Sequence, residues 1–154
     1  MGNRRLAREM AMQALFFIDN TPGDPDGALE LFCRNFTPPE RVRAFFQELV
    51  GGVLGAKAAI DAVIERFSQH WKLDRMSGVD RNLLRLAVYE MFWRTDIPAK
   101  VSINEAIDIG KKFGTEDSGA FINGILDGIR IARDNGELVL AGAPAPPSPA
   151  EPAP

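Results

Sequence analysis

Apolar side chains recur at intervals of three and four residues from Asn3 to Arg133, and no alternating apolar and polar pattern persists in this stretch. One face of an α-helix has this period, whereas a half-buried strand alternates at every second residue. The spacing therefore predicts an all-α fold. It indicates about seven helices, whose expected first residues lie near Asn3, Asp26, Pro38, Ala58, Ser77, Ser102 and Thr115.

The best-marked helix start is Ser77-Gly-Val-Asp80, which has the spacing of a capping box. In such a box the serine hydroxyl accepts a free backbone N–H, and the acid three residues later reaches back. The helix that follows is apolar around most of its circumference, which predicts the central and most buried helix. A second capping box, Ser102-Ile-Asn-Glu105, predicts the start of the next helix.

Glycines mark further positions along the helical pattern. Those at 51, 52 and 55 predict a break or kink in the third helix, and Gly114 predicts a left-handed cap, with Thr115 or Asp117 capping the last helix. Gly124 and Gly128 lie four residues apart, and each costs about 1 kcal/mol relative to alanine inside a helix. Either a close helix–helix approach or the close approach of a ligand backbone would offset that cost.

The chain has 154 residues, enough for one compact domain that buries roughly 70% of its unfolded surface. Its end, AGAPAPPSPAEPAP, contains six prolines in fourteen residues and little to bury. We therefore expect a folded domain over residues 1–136 and a disordered Pro/Ala-rich tail over residues 137–154.

Composition favours a non-enzymatic intracellular protein. Cys33 and His70 are the only cysteine and histidine, and no metal-ligand cluster, nucleophile–base pair or phosphate-binding loop is present in the pattern, so we expect no catalytic residues, no metal and no cofactor. No signal peptide or apolar run of 18 residues occurs, so a cytoplasmic protein without membrane contact is expected. The formal net charge is −3, but residues 1–133 carry as many basic as acidic side chains.

Two cationic segments stand out on this neutral body. Arg4, Arg5 and Arg8 precede the first acid, and Lys111-Lys112 adjoins Phe113 at the end of a helix. A basic first turn opposes the helix dipole, and a polyanion would remove that cost. Lysines beside an aromatic ring suit single-stranded RNA, although a solvated helix end explains the lysines equally well.

Three stretches are long and specific: RRLAREMAMQALF, MSGVDRNLLRLAVYEM and DIPAKVSINEAIDIGKKFGTEDSGAFINGILD. In this order, from Arg4 to Asp127, they resemble the NusB family of transcription antitermination factors. The resemblance implies a helical bundle in two halves and no enzymatic activity. It also implies that the chain binds the boxA element of ribosomal RNA transcripts together with the ribosomal protein NusE, within an RNA polymerase antitermination complex.

The resemblance also implies roles for individual residues. RNA-contacting positions would be Arg4, Arg5, Arg8, Phe16, Lys111, Phe113, Asp117 and Phe121. Positions facing the protein partner would be Asp80, Tyr89 and Glu90. Asp117 is unusual among the first group, because its carboxylate repels phosphate unless it accepts from a base amino group or caps the last helix.

A protein–protein adaptor or homodimer that never binds RNA is the alternative, supported by the neutral body and the small residues at positions 124 and 128. The RNA-binding hypothesis makes one structural demand that the alternative does not. The two cationic segments, about a hundred residues apart in sequence, must be neighbours in the fold.

Overall fold

In the computed structural model, residues 2–69 and 71–144 are described. Within these ranges the chain forms seven α-helices, one short 3₁₀ helix and no strand, which confirms the predicted all-α fold. The α-helices are α1 (Asn3–Asp19), α2 (Pro25–Asn35), α3 (Glu40–Gly55), α4 (Lys57–Phe67), α5 (Gly78–Trp93), α6 (Ala99–Phe113) and α7 (Ser118–Asp134). The 3₁₀ helix, Leu73–Arg75, lies between α4 and α5.

The helices form two groups around α5. α1 packs on α2 and α3, while α6 and α7 pack on each other, and α5 contacts α1, α3, α4, α6 and α7. Every residue of α5 from Asn82 to Phe92 is buried. This confirms α5 as the central helix, as its all-round apolar pattern predicted.

The two predicted capping boxes have different outcomes. Ser77 Oγ accepts from the backbone N of Asp80 at 3.1 Å, so the first half of that box is present. The second box is wrong, because α6 begins at Ala99 after Pro98. Proline at the N-cap position sets the backbone angle for entry, so the helix starts one turn earlier than the serine. Ser102 is consequently inside α6, where its hydroxyl donates to Glu90.

The glycines of α3 have different outcomes. α3 continues through Gly51 and Gly52 without a break, but it ends at Gly55, and the break falls directly after this third glycine, at Ala56. Packing explains Gly52, since a Cβ atom there would lie 2.1 Å from Cε1 of Tyr89. A Cβ atom at Gly51 would meet no described atom within 4 Å.

Gly114 and Gly128 also serve packing rather than backbone conformation. Gly114 has φ −97°, so the predicted left-handed cap is wrong; a Cβ atom there would lie 2.4 Å from Oγ of Ser118. At Gly128 a Cβ atom would lie 3.2 Å from the ring of Phe67, which is the expected close approach of two helices. Gly124 is exposed and meets no described atom within 4 Å, so the same reason does not apply to it.

The packed region extends past the predicted domain boundary at residue 136. Leu138 and Leu140 follow α7 and belong to the buried core. Arg133 Nη1 donates to the main-chain oxygen of Met91 at 2.7 Å, which ties the end of α7 to the end of α5. The disorder predicted for the Pro/Ala-rich tail falls, over residues 145–154, outside the described residues. Over the ranges that are described, none of the helices combines the length and the apolar character that a membrane crossing requires.

Candidate nucleic-acid interface

The two cationic segments are neighbours, because ion pairs connect α1 to α6. Arg5 of α1 forms ion pairs with Glu105 and Asp108 of α6, and the second of these measures 2.9 Å. One turn later, Lys112 Nζ of α6 lies 3.1 Å from Oε1 of Glu9. Residues that are about a hundred positions apart in sequence therefore share one face of the bundle, as the RNA-binding hypothesis requires.

Arg4 and Lys111 carry the more available charges on this face. Arg4 is exposed, and its guanidinium lies 5.3 Å from the ring centroid of Phe45. Lys111 is exposed, and its stem crosses Gly119, where a Cβ atom would lie 3.0 Å from Cε of the lysine. No described carboxylate lies within ion-pair distance of either side chain, whereas Arg5 and Lys112 are already paired with acids.

Arg8 and Glu90 lie in the interior rather than on the surface. They are 3% and 1% exposed, and the arginine binds the carboxylate in a bidentate manner, with Nη2–Oε1 and Nε–Oε2 distances of 2.7 and 3.0 Å. Ser102 donates to the same carboxylate at 2.9 Å, and Glu105 lies 3.3 Å from Arg8 Nη1. This buried cluster joins α1, α5 and α6, so neither charged group faces solvent.

Three aromatic side chains of the expected set retain exposed surface. Phe16 of α1 is 42% exposed and lies against the start of α5, where a Cβ atom at Gly78 would come within 2.4 Å of its ring. Phe113, at the end of α6, is 36% exposed, and Lys112 Nζ lies 5.1 Å from its ring centroid. Phe121 of α7 is half-buried in an edge-on contact with Trp71.

Hydroxyl groups rather than carboxylates shape the turn between α6 and α7. Thr115 Oγ1 accepts from the backbone N of Asp117 at 3.3 Å, and Ser118 Oγ accepts from the backbone N of Thr115 at 3.0 Å. Asp117 occupies the N-cap position of α7, but its side chain makes no capping hydrogen bond. Of the two residues expected to cap α7, only Thr115 accepts a backbone hydrogen bond in this turn. The Asp117 carboxylate is thereby left exposed beside the cationic face.

The residues expected to face a protein partner do not lie together. Asp80 is near the start of α5, and Tyr89 is nine residues later, which corresponds to about 13 Å along a helix. The Oδ1 atom of Asp80 is buried without a described hydrogen-bond partner. Tyr89 stacks on Trp93 with 5.6 Å between ring centroids and donates to Glu48 at 3.3 Å. Burial, followed by the nearby Glu48 carboxylate, raises the pKa of Tyr89.

Tyr89 and Trp93 form one wall of a groove of about 510 Å³. Small residues of α3 and α4 and two residues after α7 complete it: Gly51, Gly52, Gly55, Ala56, Ala58, Ala59, Ala141 and Gly142. Trp93 was missed as a surface residue because it shares the continuous apolar pattern of α5. In the sequence, only its position at the end of α5 distinguishes Trp93 from a core side chain.

In the part of the chain that is described, no group of three or more His, Cys, Asp or Glu side chains could hold a metal ion. Cys33 is half-buried, and burial raises the pKa of its thiol, which lowers the thiolate fraction at neutral pH. His70 lies outside the described residues.

A comparison with family models matches residues 5–130 to the NusB family. The chain belongs to the NusB family. One NusB-family relative is the transcription antitermination protein NusB of Desulfatibacillum aliphaticivorans, 57% identical over 131 residues that cover 85% of this chain and 92% of the relative.

Solved structures of NusB proteins have the same fold as this chain. NusB of T. maritima superposes with a TM-score of 0.75 at 38% identity and covers 88% of this chain and 97% of its own. A structure of the antitermination factors NusB and NusE in complex with dsRNA gives a TM-score of 0.74 at 27% identity, covering 86% and 98% of the two chains. The NusB family is therefore shown by sequence and by fold, and one relative is recorded bound to RNA and NusE.

Proposed function

We propose that this NusB-family chain is a non-enzymatic transcription antitermination factor that binds single-stranded boxA RNA of ribosomal transcripts together with NusE. The observation that carries the proposal is the set of ion pairs between α1 and α6, which connects the two cationic segments on one face of the bundle. The proposal includes incorporation into an RNA polymerase complex in the cytoplasm, where the transcripts are made.

In this proposal the phosphates bind the charges that are free to receive them. Arg4 and Lys111 contact the backbone, and the half-exposed Arg5 contributes after partial release from its acids. Unpaired bases stack on Phe16, Phe113 and the exposed part of Phe121, as aromatic rings do in single-strand binding proteins. Aromatic rings stack on any of the bases, so a preference for particular bases must come from polar groups. Asp117 is the candidate for such a group.

Arg8 has a positioning role in this proposal. Its buried pair with Glu90 fixes α1 against α5 and α6, and so sets the distance between the first turn of α1 and the last turn of α6. A direct contact of Arg8 with phosphate would require breaking a bidentate ion pair in the interior, which is costly. The same burial gives Glu90 a structural rather than a partner-binding role.

The NusE contact is proposed at Asp80 and, separately, at the groove of Tyr89. The resemblance of the α5 motif supports the first; Asp80 is 9% exposed and its Oδ1 is buried without a described hydrogen-bond partner, so a donor from a partner would reach this atom only if the start of α5 moves. The stacked rings of Tyr89 and Trp93 support the second, since aromatic side chains in concave sites are typical anchors for a partner.

The direct test is a titration of fluorescently labelled boxA RNA, followed by anisotropy, with and without NusE. We expect boxA RNA to bind more tightly than a scrambled RNA of the same composition, and NusE to increase the affinity further. Equal affinity for both RNAs, or no gain from NusE, would contradict the proposal.

A homodimer or adaptor that does not bind RNA is the competing function, favoured by the acids that already pair with Arg5 and Lys112. Light scattering across a range of protein concentrations, repeated after adding boxA RNA, separates the two. A dimer whose mass is unchanged by RNA supports the adaptor, whereas a protein–RNA complex of defined mass supports the proposal above.

A further inference from the structure

Trp71 is a large exposed side chain next to the proposed RNA-binding surface. It lies in the connection between α4 and the 3₁₀ helix and is 55% exposed. Its ring meets Phe121 of α7 edge-on, with 6.2 Å between centroids and 82° between ring planes. Trp71 is therefore in direct contact with one of the residues proposed to stack on RNA.

The contact with Phe121 orients the indole but leaves most of it open to solvent. T-shaped aromatic pairs are favourable, so the contact favours this orientation of the indole. More than half of the residue nevertheless remains accessible, although tryptophan is among the side chains that gain most from burial. A partner that covers the indole would recover this burial without displacing a core residue.

The surroundings of Trp71 favour an unpaired nucleobase as that partner. Lys72 is the next residue and is exposed, and among the described side chains it forms no ion pair. An oriented ring beside a cation, continuous with Phe121, provides a stacking surface for a base and a charge for its phosphate. An apolar protein partner would need a wider apolar surface, whereas the neighbours Gln69 and Lys72 are polar and exposed.

We propose that Trp71 is a base-stacking residue that extends the RNA-binding surface from α7 onto the connection between α4 and α5. This inference rests on the proposed function, because it assigns one more base to the same strand of RNA. The strand would pass over the start of α7, where Phe121 and Trp71 receive successive bases.

Intrinsic fluorescence allows a direct test, because the chain has only two tryptophans. In the Trp93→Phe variant the emission comes from Trp71 alone. We expect single-stranded boxA RNA to quench this emission as it binds, and a backbone of equal length with abasic sites to bind by anisotropy without the same quenching. The matched control is Trp71→Phe, in which the emission of Trp93 should change little.

Affinity gives the second measurement. Trp71→Ala should weaken RNA binding by about 5- to 150-fold with an unchanged salt dependence, since a stacked base rather than a phosphate contact is lost. Trp71→Phe keeps a ring and should retain most of the affinity. Ile131→Ala, which removes exposed apolar surface three turns further along α7, should bind as the wild type does.

The outcomes distinguish this inference from the function on which it rests. RNA binding with unchanged Trp71 emission, or equal affinity of Trp71→Ala and wild type, overturns the role of Trp71 and leaves the proposed function intact. Loss of NusE binding in Trp71→Ala with normal RNA affinity also overturns it and assigns the ring to the protein partner. Failure of the wild type to bind RNA refutes both.

Discussion

At the scale of single residues, burial separates arginines that the sequence presents as alike. Arg4, Arg5 and Arg8 lie in one basic stretch, yet one is exposed, one is paired at the surface and one is buried. Arg4 and Arg8 are four residues apart on α1, so they share one face of the helix, and both approach Phe45. Only Arg8 reaches the carboxylate of Glu90. The three residues should accordingly respond differently to substitution.

Replacing Arg8 by methionine should destabilise the fold by about 3–5 kcal/mol, because it leaves the buried carboxylate of Glu90 without its ion-pair partner. Urea unfolding followed by circular dichroism measures this. The matched control is Arg34→Met, which breaks an exposed pair with Glu30 and should cost less than about 1 kcal/mol. Similar losses for the two variants would show that the interior pair contributes no more than a surface one.

Replacing Arg4 by alanine should weaken RNA binding to boxA and scrambled sequences alike. It should also reduce the slope of log affinity against log salt by about 0.7 for one lost phosphate contact. Anisotropy titrations at several salt concentrations give both values, with Arg34→Ala as a control for a cation outside the interface. An unchanged slope would place Arg4 outside the contact.

Replacing Phe113 by alanine should cost about 1–3 kcal/mol of RNA affinity without altering the salt dependence, because a stacked base is lost and no charge is removed. The control is Leu31→Ala, which removes an equally exposed apolar side chain on α2. If both variants bind RNA equally well, the ring of Phe113 is not a stacking surface.

At the scale of helices, two adjacent glycines of α3 have different reasons to be there. Gly52 faces the ring of Tyr89, and Gly51 faces open space. The ring cannot move away cheaply, since it is 8% exposed, stacked on Trp93 and bonded to Glu48. The fit between α3 and α5 therefore depends on one glycine and not on the other.

Alanine at these two positions should change stability in opposite directions. Gly52→Ala should destabilise by about 1–3 kcal/mol through overpacking, and Gly51→Ala should stabilise by up to about 1 kcal/mol through helix propensity. Thermal unfolding of both variants, compared with the wild type, measures the difference. A stabilising Gly52→Ala would show that Tyr89 can leave its position at little cost.

At the scale of the whole molecule, an ion-pair network joins three helices. Asp19 at the end of α1 lies 2.9 Å from Arg85 and 3.1 Å from Arg81 of α5, and Arg85 in turn lies 2.7 Å from Asp61 of α4. Asn82 donates to the same Asp19 carboxylate at 3.0 Å. The network fixes α1 and α4 against the central helix.

The network makes stability depend on pH in a defined direction. Desolvation alone would raise the pKa of Asp19, but the hydrogen bond from Asn82 and the charges of Arg85 and Arg81 outweigh it and lower the pKa. A carboxyl with a lowered pKa in the folded state contributes stability that is complete above its unfolded value of 3.8 and is lost as the pH falls through the folded value.

We therefore expect the unfolding free energy to fall below about pH 4, and Asp19→Asn to reduce the wild-type stability at pH 7 while flattening that fall. Urea unfolding at a series of pH values tests this. The control is Asp26→Asn, an exposed acid on α2 without an ion pair among the described residues. If Asp19→Asn and the wild type lose the same unfolding free energy at low pH, Asp19 is not responsible for the acid sensitivity.

Most of the correct predictions came from local patterns in the sequence. The predictions failed where a residue of another helix determines the contact. The period of apolar residues gave the helices and the central position of α5, because it depends only on which side chains need burial. Ser102 and Gly114 were misread, since their partners, Glu90 and Ser118, are supplied by packing and by the following turn. Trp71 carried no periodic signal and became a candidate only through its contact with Phe121.

The sequence by itself determined that this chain forms an all-α bundle and belongs to the NusB family, because helix periodicity and long motifs are properties of neighbouring residues. Tertiary structure alone decided which charges face solvent. Arg4 and Arg8 are one helical turn apart, and only the packing of α1 against α5, together with the ion pairs to α6, exposes the first and buries the second. Whether a guanidinium can meet a phosphate depends on the carboxylates that long-range packing brings within reach, and no local pattern specifies them.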